Sequence, residues 1–208
     1  DGAIIVIDGG CLTMINSTII TDCNGCTAIT IIGNGKVEFY EGKIITTGDY
    51  SQGIYIHNDG KFYIDNTTIE THGNFSPSLL VKNSNQLLDV DNTNLTTNGF
   101  DSPLIYLNGN INSMNLNGIS NNSKMFIIEG ESNIVLDYAE ITGKEGIMIY
   151  NKEEQERISN LKFMESTLEL LEDNNQLFRI ANGVTIITLI NSIVNNTNGI
   201  FMNADCIE

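Results

Sequence analysis

The sequence contains no tryptophan, only two prolines and two histidines, and few positive charges. Lysine and arginine together number 10, against 26 acidic residues, so the formal net charge is −16. Binding to nucleic acid or to an anionic membrane surface needs clustered cations that displace counterions. The composition therefore excludes both classes of partner, and it favours basic partners or bound cations.

Long apolar runs are also missing. No stretch approaches the roughly 18 apolar residues that a membrane-spanning helix needs, and no basic-then-apolar segment opens the chain as a signal peptide would. With 208 residues, of which 41% are hydrophobic, the chain can still bury a substantial core. Because it begins with Asp rather than Met, we expect a mature form or a segment of a longer extracellular protein.

One short phrase is present three times. "TTGDYSQGIYI" (46–56) is followed by "THGNFSPSLLV" (71–81) and by "TTNGFDSPLIYL" (96–107). A fixed period of this kind marks one supersecondary unit copied along the chain. Most repeats span about 22 to 26 residues and contain three short runs rich in Ile, Val, Thr and Tyr, separated by Asn, Gly, Asp and Ser, which is typical of strands.

Three strands per repeat predict the architecture. Stacking each strand on its equivalent in the next repeat gives parallel sheets and a continuous core that no repeat could bury alone. The sequence therefore predicts an all-β fold, a single-stranded parallel β-helix of about eight coils over 1–208.

Two columns of equivalent residues follow from this alignment. The position after the first strand favours Asn or Gly, which tolerate the left-handed backbone of a tight turn, and stacked Asn amides can form a ladder. That column consists of Asp8, Gly33, Asn58, Asn83, Asn108, Gly130, Asn151 and Asn182. Another turn stacks Tyr50, Phe75 and Phe100.

The Asn ladder, the coil length and the phrase "GDYSQGIYI" resemble right-handed parallel β-helix proteins of the pectin-lyase-like class. They are most similar to the repetitive adhesin-like surface proteins of microbes. The resemblance implies a right-handed coil and an extracellular or cell-surface location. It does not choose between enzyme and inert rod, because this fold hosts both.

Polysaccharide hydrolases of this class use Asp-Asp and Asn-x-Asp phrases with a nearby Gly-His and an Arg-x-Lys. This sequence has no Asp-Asp pair, and neither histidine follows a glycine. A lyase of the class needs stacked acids that hold Ca²⁺ and a cation, commonly Arg, that takes the α-proton. For that role Arg179 belongs to a different strand and Arg157 to a loop, which leaves Lys61 beside the acids.

The acids lie on the second strand of each repeat. Carboxylates one coil apart repel each other unless a cation or water separates them, so Ca²⁺ is the physical candidate for a metal. The alternative is a simply solvated strand face. The predicted outward column runs Tyr40, Asp65, Asp91, Asn115 and Asp137, with Glu38, Tyr63 and Asp89 beside it, and the candidate metal ligands are Asp65, Asp89, Asp91 and Asp137.

The first strand is apolar in both alternating sets, which predicts a sheet covered on both faces. The cover would be the rest of a longer chain, another protomer or a ligand; the alternative is strand propensity alone. The predicted core set is Ile4, Ile29, Ile54, Leu79, Leu104, Phe126, Ile147 and Phe178, with Val6, Ile31, Ile56, Val81, Tyr106, Ile128, Ile149 and Ile180 two residues on. The predicted outward set is Ile5, Thr30, Tyr55, Leu80, Ile105, Ile127, Met148 and Arg179.

Cys23 and Cys26 form "CNGC" in a turn, a spacing that allows a local disulfide, a redox pair or half a zinc site. We favour the disulfide, since Cys11 and Cys206 lie at opposite ends of the predicted rod. The charged segment "NKEEQERISN" (151–160) enlarges one coil as a recognition loop or a solvated one.

We expect a non-catalytic, adhesin-like binding or spacer module that contacts a glycan or a protein. Candidate binding aromatics are Tyr50, Phe75, Phe100 and Tyr63, although an aromatic column can also merely fill a turn. The alternatives are a calcium-dependent lyase of acidic polysaccharides and the structural rod of an oligomeric fibre. No cofactor is expected apart from Ca²⁺.

Overall fold

A computed structural model describes residues 2–83, 85–150, 158–173, 175–196 and 199–205. Asn151, Arg157 and Cys206, named above, lie outside the described residues. So does most of the charged insert, of which 158–160 begin a strand.

The described residues form 25 strands and their connecting turns, without a helix. The first sheet contains β1 (Gly2–Val6), β4 (Thr27–Ile32), β7 (Ile54–His57), β10 (Leu79–Lys82), β13 (Ile105–Leu107), β16 (Phe126–Glu129), β19 (Ile147–Tyr150), β22 (Gln176–Ala181) and β25 (Ile200–Asp205). The second contains β2 (Cys11–Ile15), β5 (Lys36–Tyr40), β8 (Lys61–Asp65), β11 (Leu87–Asp91), β14 (Asn110–Met114), β17 (Asn133–Asp137), β20 (Ile158–Met164) and β23 (Val184–Ile190). The third contains β3 (Thr18–Thr21), β6 (Lys43–Thr46), β9 (Thr68–Thr71), β12 (Asn94–Thr97), β15 (Asn117–Lys124), β18 (Glu140–Glu145), β21 (Thr167–Leu170) and β24 (Ile193–Asn195).

Each strand pairs in parallel with the strand three places along the chain. The three sheets therefore stack as a β-solenoid of about eight turns, which confirms the predicted all-β, parallel repeat fold.

The period-2 alternation of each strand builds the core. In β5, for example, Val37 and Phe39 are fully buried while Lys36, Glu38 and Tyr40 face outward. Equivalent inward residues of all coils form one continuous cluster that extends from Val6 to Phe178.

Asn residues with positive φ make the corners between sheets. Asn58, Asn83 and Asn182 take this conformation after first-sheet strands, as do Gly33 and Gly130. The predicted role of this column in the backbone turn is therefore confirmed at these positions.

The amide-to-amide hydrogen bonds of the described residues lie in other columns. One joins Asn160 to Asn133 and Asn133 to Asn110, at 2.9 Å in both cases. Another joins Asn115 to Asn92 at 2.8 Å. Amides of the third sheet also bond, Asn117 to Asn94 at 3.2 Å and Asn121 to Asn98 at 2.7 Å, so the ladder is divided between the second and third sheets.

One register prediction was wrong. Leu79 pairs with Ile105, and Val81 pairs with Leu107, so Ile105 and Leu107 are buried and Tyr106 faces outward. The extra residue of this coil lies between β10 and β11, since Lys82 pairs with His57 but Asp89 pairs with Tyr63, and a slip of one residue exchanges the two faces of a strand. Leu104, predicted for the core, is also buried, but as the last residue of the turn before β13.

Candidate functional site

The turns that connect the third sheet to the first sheet are built alike in successive coils. Thr46 donates its hydroxyl to the carbonyl of Ser51 at 2.7 Å, and Thr71 donates to the carbonyl of Ser76 at 2.6 Å. Both threonines are fully buried. Each turn is thus closed by an internal hydrogen bond that water does not reach, which fixes its shape.

A column of buried serines joins these turns to one another. The backbone N–H of Ser51 donates to the hydroxyl of Ser76, and that of Ser76 donates to the hydroxyl of Ser102, both at 2.9 Å. The Ser76 hydroxyl donates in turn to the carbonyl of Gly48 at 3.1 Å. The sequence analysis missed this column, although a serine follows the aromatic region in each copy of the repeated phrase.

Tyr50, Phe75 and Phe100 project from these turns and form what we call the aromatic column. The rings of Tyr50 and Phe75 are stacked, with centroids 5.0 Å apart and planes 9° apart. The side chains are 59%, 39% and 64% exposed, respectively. Rigid turns therefore hold three aromatic rings in contact with solvent.

The third ring departs from the predicted stack. Phe75 and Phe100 meet at 88° with centroids 6.2 Å apart. The backbone N–H of Tyr50 bonds to the carbonyl of Asn74, the residue before Phe75. In the same way, the N–H of Phe75 bonds to the carbonyl of Phe100, the residue before Asp101. Asp101 therefore takes the backbone position equivalent to Phe75, and Phe100 takes the position equivalent to Asn74 in a turn of the same length.

The "CNGC" turn lies in the first coil, one step from Tyr50. Cys23 and Cys26 are joined by a disulfide in the structure, with their Cα atoms 5.4 Å apart. Gly25, between them, donates its N–H to the carbonyl of Asp49 at 2.8 Å. Cys11 is a free, exposed cysteine on β2.

Tyr63 is not part of the aromatic column, because it lies on the outer face of the second sheet. Its ring centroid is 5.4 Å from that of Tyr40. Partial burial raises the pKa of Tyr63, and the carboxylates of Asp65 and Asp91 raise it further. The four candidate aromatics thus form two separate surfaces.

The second-sheet acids are only partly grouped. Asp65 and Asp91 are direct neighbours across β8 and β11, but Asp89 lies in the adjacent column between Tyr63 and Asn112. The two neighbouring carboxylates already accept hydrogen bonds, Asp91 from the N–H of Met114 at 2.8 Å and Asp65 from the amide of Asn92 at 2.7 Å.

Asp137 is separated from Asp91 by Met114, which occupies the column place predicted for Asn115. Asn115 instead makes the corner after β14, with φ 57°. Among the residues that the structure describes, no three of His, Cys, Asp or Glu are placed to hold a metal ion together.

The outer face of the first sheet carries a phenol cluster that sequence reasoning did not find. Tyr106 donates its hydroxyl to Glu129 at 2.7 Å and also bonds to the hydroxyl of Tyr150. Burial, followed by these hydrogen bonds, raises the pKa of Tyr106 well above its ordinary range. Most of this face is half-buried rather than open, and Thr30 is buried, whereas Ile5 in the first coil is exposed.

A shallow depression lies further along the same face. Its volume is about 170 Å³, and it is lined by Lys124, Glu145, Gly146, Ile147, Met148, Asn175, Gln176 and Arg179. Lys124 is already paired with Glu145 at 2.9 Å.

None of the described residues forms a helix of the length and apolar character needed to cross a membrane. Comparisons of the chain with family models, with curated proteins and with solved structures gave no significant match. The fold places the chain in the class of parallel β-solenoids.

Proposed function

We propose that this solenoid is a non-catalytic binding module of the cell surface or extracellular space, adhesin-like in character, which contacts a glycan through the aromatic column. The observation that carries the proposal is the exposure of Tyr50, Phe75 and Phe100 on hydrogen-bonded turns: threonines close the turns of Tyr50 and Phe75, and the Ser102 hydroxyl bonds to the carbonyl of Phe100. Aromatic rings supply large contact area at little entropic cost when they are held in place before binding.

The construction of the turns supports a role beyond filling space. A ring that only fills a turn would be expected to lie against the core, whereas these three side chains face solvent. Their supports, the buried threonines and serines beneath them, hold the rings in register from coil to coil. Rigid scaffolds that present exposed residues are typical of recognition surfaces.

The net charge of the chain limits the class of glycan that can bind. With a formal net charge of −16, the surface repels polyanions over distances set by the Debye length. We therefore expect neutral glycans to bind better than uronate-rich ones.

The test is a binding assay with immobilised neutral and acidic polysaccharides on the wild type and on the double variant Tyr50→Asn/Phe75→Asn. Asparagine suits the positive φ of both positions, 56° and 54°. We expect the double variant to bind neutral glycan at least about tenfold more weakly, a change of about 1.4 kcal/mol.

The matched control is Tyr138→Asn. Tyr138 is also an exposed aromatic with a positive φ, 54°, but it lies in the turn between the second and third sheets. Equal binding by wild type and the double variant contradicts the proposal, and loss of binding in Tyr63→Ala alone would move the site to the second sheet. Unsaturated oligosaccharides released in the presence of Ca²⁺ would identify a lyase instead.

A further inference from the structure

The aromatic column has one ring face that no other ring covers. Phe75 is stacked against Tyr50 on one side and meets Phe100 edgewise on the other. Tyr50 is stacked on one side only, and it is the more exposed ring of the stacked pair, at 59% against 39%. The uncovered face of Tyr50 is directed towards the first coil.

In the first coil the equivalent position is a glycine. The hydrogen bond from the Gly25 N–H to the carbonyl of Asp49 sets Gly25 in register with Tyr50, just as Tyr50 is set in register with Phe75. A Cβ built on Gly25 would meet no atom within 4 Å. The column is therefore interrupted at Gly25 by open space of the height of one coil, about 4.8 Å.

The surroundings of this space are fixed before any ligand arrives. The disulfide between Cys23 and Cys26 closes the turn around Gly25. The hydroxyl of Ser51 accepts from the N–H of Cys26 at 3.0 Å and donates to the carbonyl of Cys23 at 2.8 Å. Because these groups are already held in place, a ligand ring that binds here would not have to order them, and the entropic cost of binding is low.

We propose that the open space over Gly25 is a binding subsite for one pyranose ring of a neutral glycan, stacked on the uncovered face of Tyr50. A pyranose with axial C–H groups on one face presents an apolar surface of the size of a phenol ring. Placed at the spacing of the stacked pair, 5.0 Å, it takes the position of a missing fourth aromatic.

The polar groups at the rim match the hydroxyls of a neutral sugar. The Asn24 side chain accepts from the N–H of Asp49 through its Oδ1 at 3.0 Å, and its amide nitrogen carries donors as well. Gln52, two residues after Tyr50, donates its side-chain amide to the carbonyl of Tyr50 at 3.2 Å and accepts from the hydroxyl of Thr27 at 2.8 Å. Asp22 is exposed and Asp49 is half-buried, with its carboxylate accepting from the N–H of Asn74 at 2.7 Å, and the negative charges of both disfavour an acidic sugar at this place.

This inference rests on the proposed glycan-binding function, and its test separates the two. Gly25→Phe fills the open space with the protein's own ring, since Phe75 already adopts φ 54° in this column and Gly25 adopts φ 72°. The control is Gly9→Phe, because Gly9 has φ 73°, also with nothing within 4 Å of an added Cβ, but lies in another turn. Binding to cellohexaose, mannohexaose and xylohexaose is measured by calorimetry.

We expect Gly25→Phe to lower the affinity for the best of these oligosaccharides at least about tenfold, and Gly9→Phe to leave it unchanged. If Gly25→Phe binds as the wild type does while Tyr50→Asn/Phe75→Asn does not, the subsite is disproved and the glycan lies along the outer edges of the column. If the wild type binds none of the three oligosaccharides and no polysaccharide, the subsite and the proposed function both fall.

A second measurement covers the case in which Gly25→Phe does not fold. Stacking on a tyrosine shifts the resonances of the sugar's C–H protons upfield, through the ring current. We expect this shift for methyl pyranosides added to the wild type, and its loss in Tyr50→Asn. An unshifted spectrum at saturating methyl pyranoside would overturn the inference.

Discussion

At the scale of single residues, we predict opposite effects on stability for the replacement of two buried serines in one turn. The Ser76 hydroxyl accepts from the N–H of Ser51, and its one proton is shared between the carbonyls of Asn74 and Gly48. Ser78, two residues on, is equally buried, and its hydroxyl has no hydrogen-bond partner. Removing a partner from a buried donor costs about 1 to 3 kcal/mol, whereas removing an unpaired buried hydroxyl is near neutral.

We therefore expect Ser76→Ala to lower the free energy of unfolding by about 1 to 3 kcal/mol, and Ser78→Ala to leave it unchanged or raise it. Urea denaturation of the two variants beside the wild type checks both. Equal losses in the two variants would show that the serine column is held by packing rather than by hydrogen bonds.

Tyr106 gives a prediction about alkaline pH. Its pKa is raised in the folded protein, whereas in the unfolded chain it is about 10. Above about pH 10 the unfolded chain gives up this proton while the folded protein keeps it, so the free energy of unfolding falls as pH rises through that window. The stability that the protonated Tyr106 contributes is fully present below about pH 10.

The variant Tyr106→Phe cannot lose this proton, so its stability should decline less steeply between about pH 8 and about pH 11. Denaturation midpoints across this range measure the slope, with Tyr138→Phe as the variant of an exposed tyrosine. Parallel declines in wild type and Tyr106→Phe would mean that the phenol cluster does not retain its proton.

The sequence predicted the position of a residue well where its own side-chain type indicates that position. It predicted the position poorly where the position depends on other parts of the chain. The aromatic column is visible in the sequence because its rings repeat. Tyr106 was assigned to the core because an apolar alternation fits either register equally well, and only the length of the coil, one residue longer than the coil before it, decides between the two. The serine column is formed by small residues whose role depends on burial, which composition does not reveal.

At the scale of the elements, we expect neighbouring carboxylates of the acidic second sheet to repel each other. Asp65 and Asp91 are directly opposite on adjacent parallel strands, and like charges in that relation destabilise a sheet by about 0.2 to 1 kcal/mol. Asp91→Asn keeps an oxygen that accepts from the N–H of Met114, so we expect it to raise the free energy of unfolding by that amount in low salt.

The increase in the free energy of unfolding of Asp91→Asn should be smaller in about 1 M NaCl, where the Debye length is about 3 Å and the repulsion is screened. Asp89→Asn is the comparison, because Asp89 lies between Tyr63 and Asn112 rather than opposite an acid. Thermal unfolding with and without Ca²⁺ completes the experiment. Stabilisation of the wild type by Ca²⁺ that Asp91→Asn abolishes would place a cation between these carboxylates.

The strands themselves were predictable because three signals agree: β-branched runs, turn residues at regular intervals, and a period near 25 residues. The third signal also explains the errors. The turn between β10 and β11 has one extra residue, which changes the alignment of Phe100 and β13 with the earlier repeats, and the coil between Ile147 and Phe178 is enlarged by the charged insert. Where the period changes, a constant repeat length assigns residues to columns that are one place away from their true ones.

At the scale of the whole molecule, stability is expected to be graded along the solenoid. Inward residues of the middle coils, such as Ile64 and Leu136, are fully buried, whereas at the C-terminal end the inward residues Leu189 and Met202 are exposed. Each coil contacts mainly its two neighbours, so its stability depends on its own packing and on those two interfaces. The aromatic column lies in the second to fourth coils, where burial of the supporting residues is complete.

The stacking of strands three places apart also decides how the solenoid would behave under mechanical load. Hydrogen bonds between coils run along the long axis, so tension between β1 and β25 loads the bonds of one interface at a time rather than all of them in shear. The molecule would yield by peeling one coil after another. Each rupture frees a loop of about 25 residues, or roughly 85 Å of extended chain, so a pulling trace would show a series of small, evenly spaced steps instead of one large event.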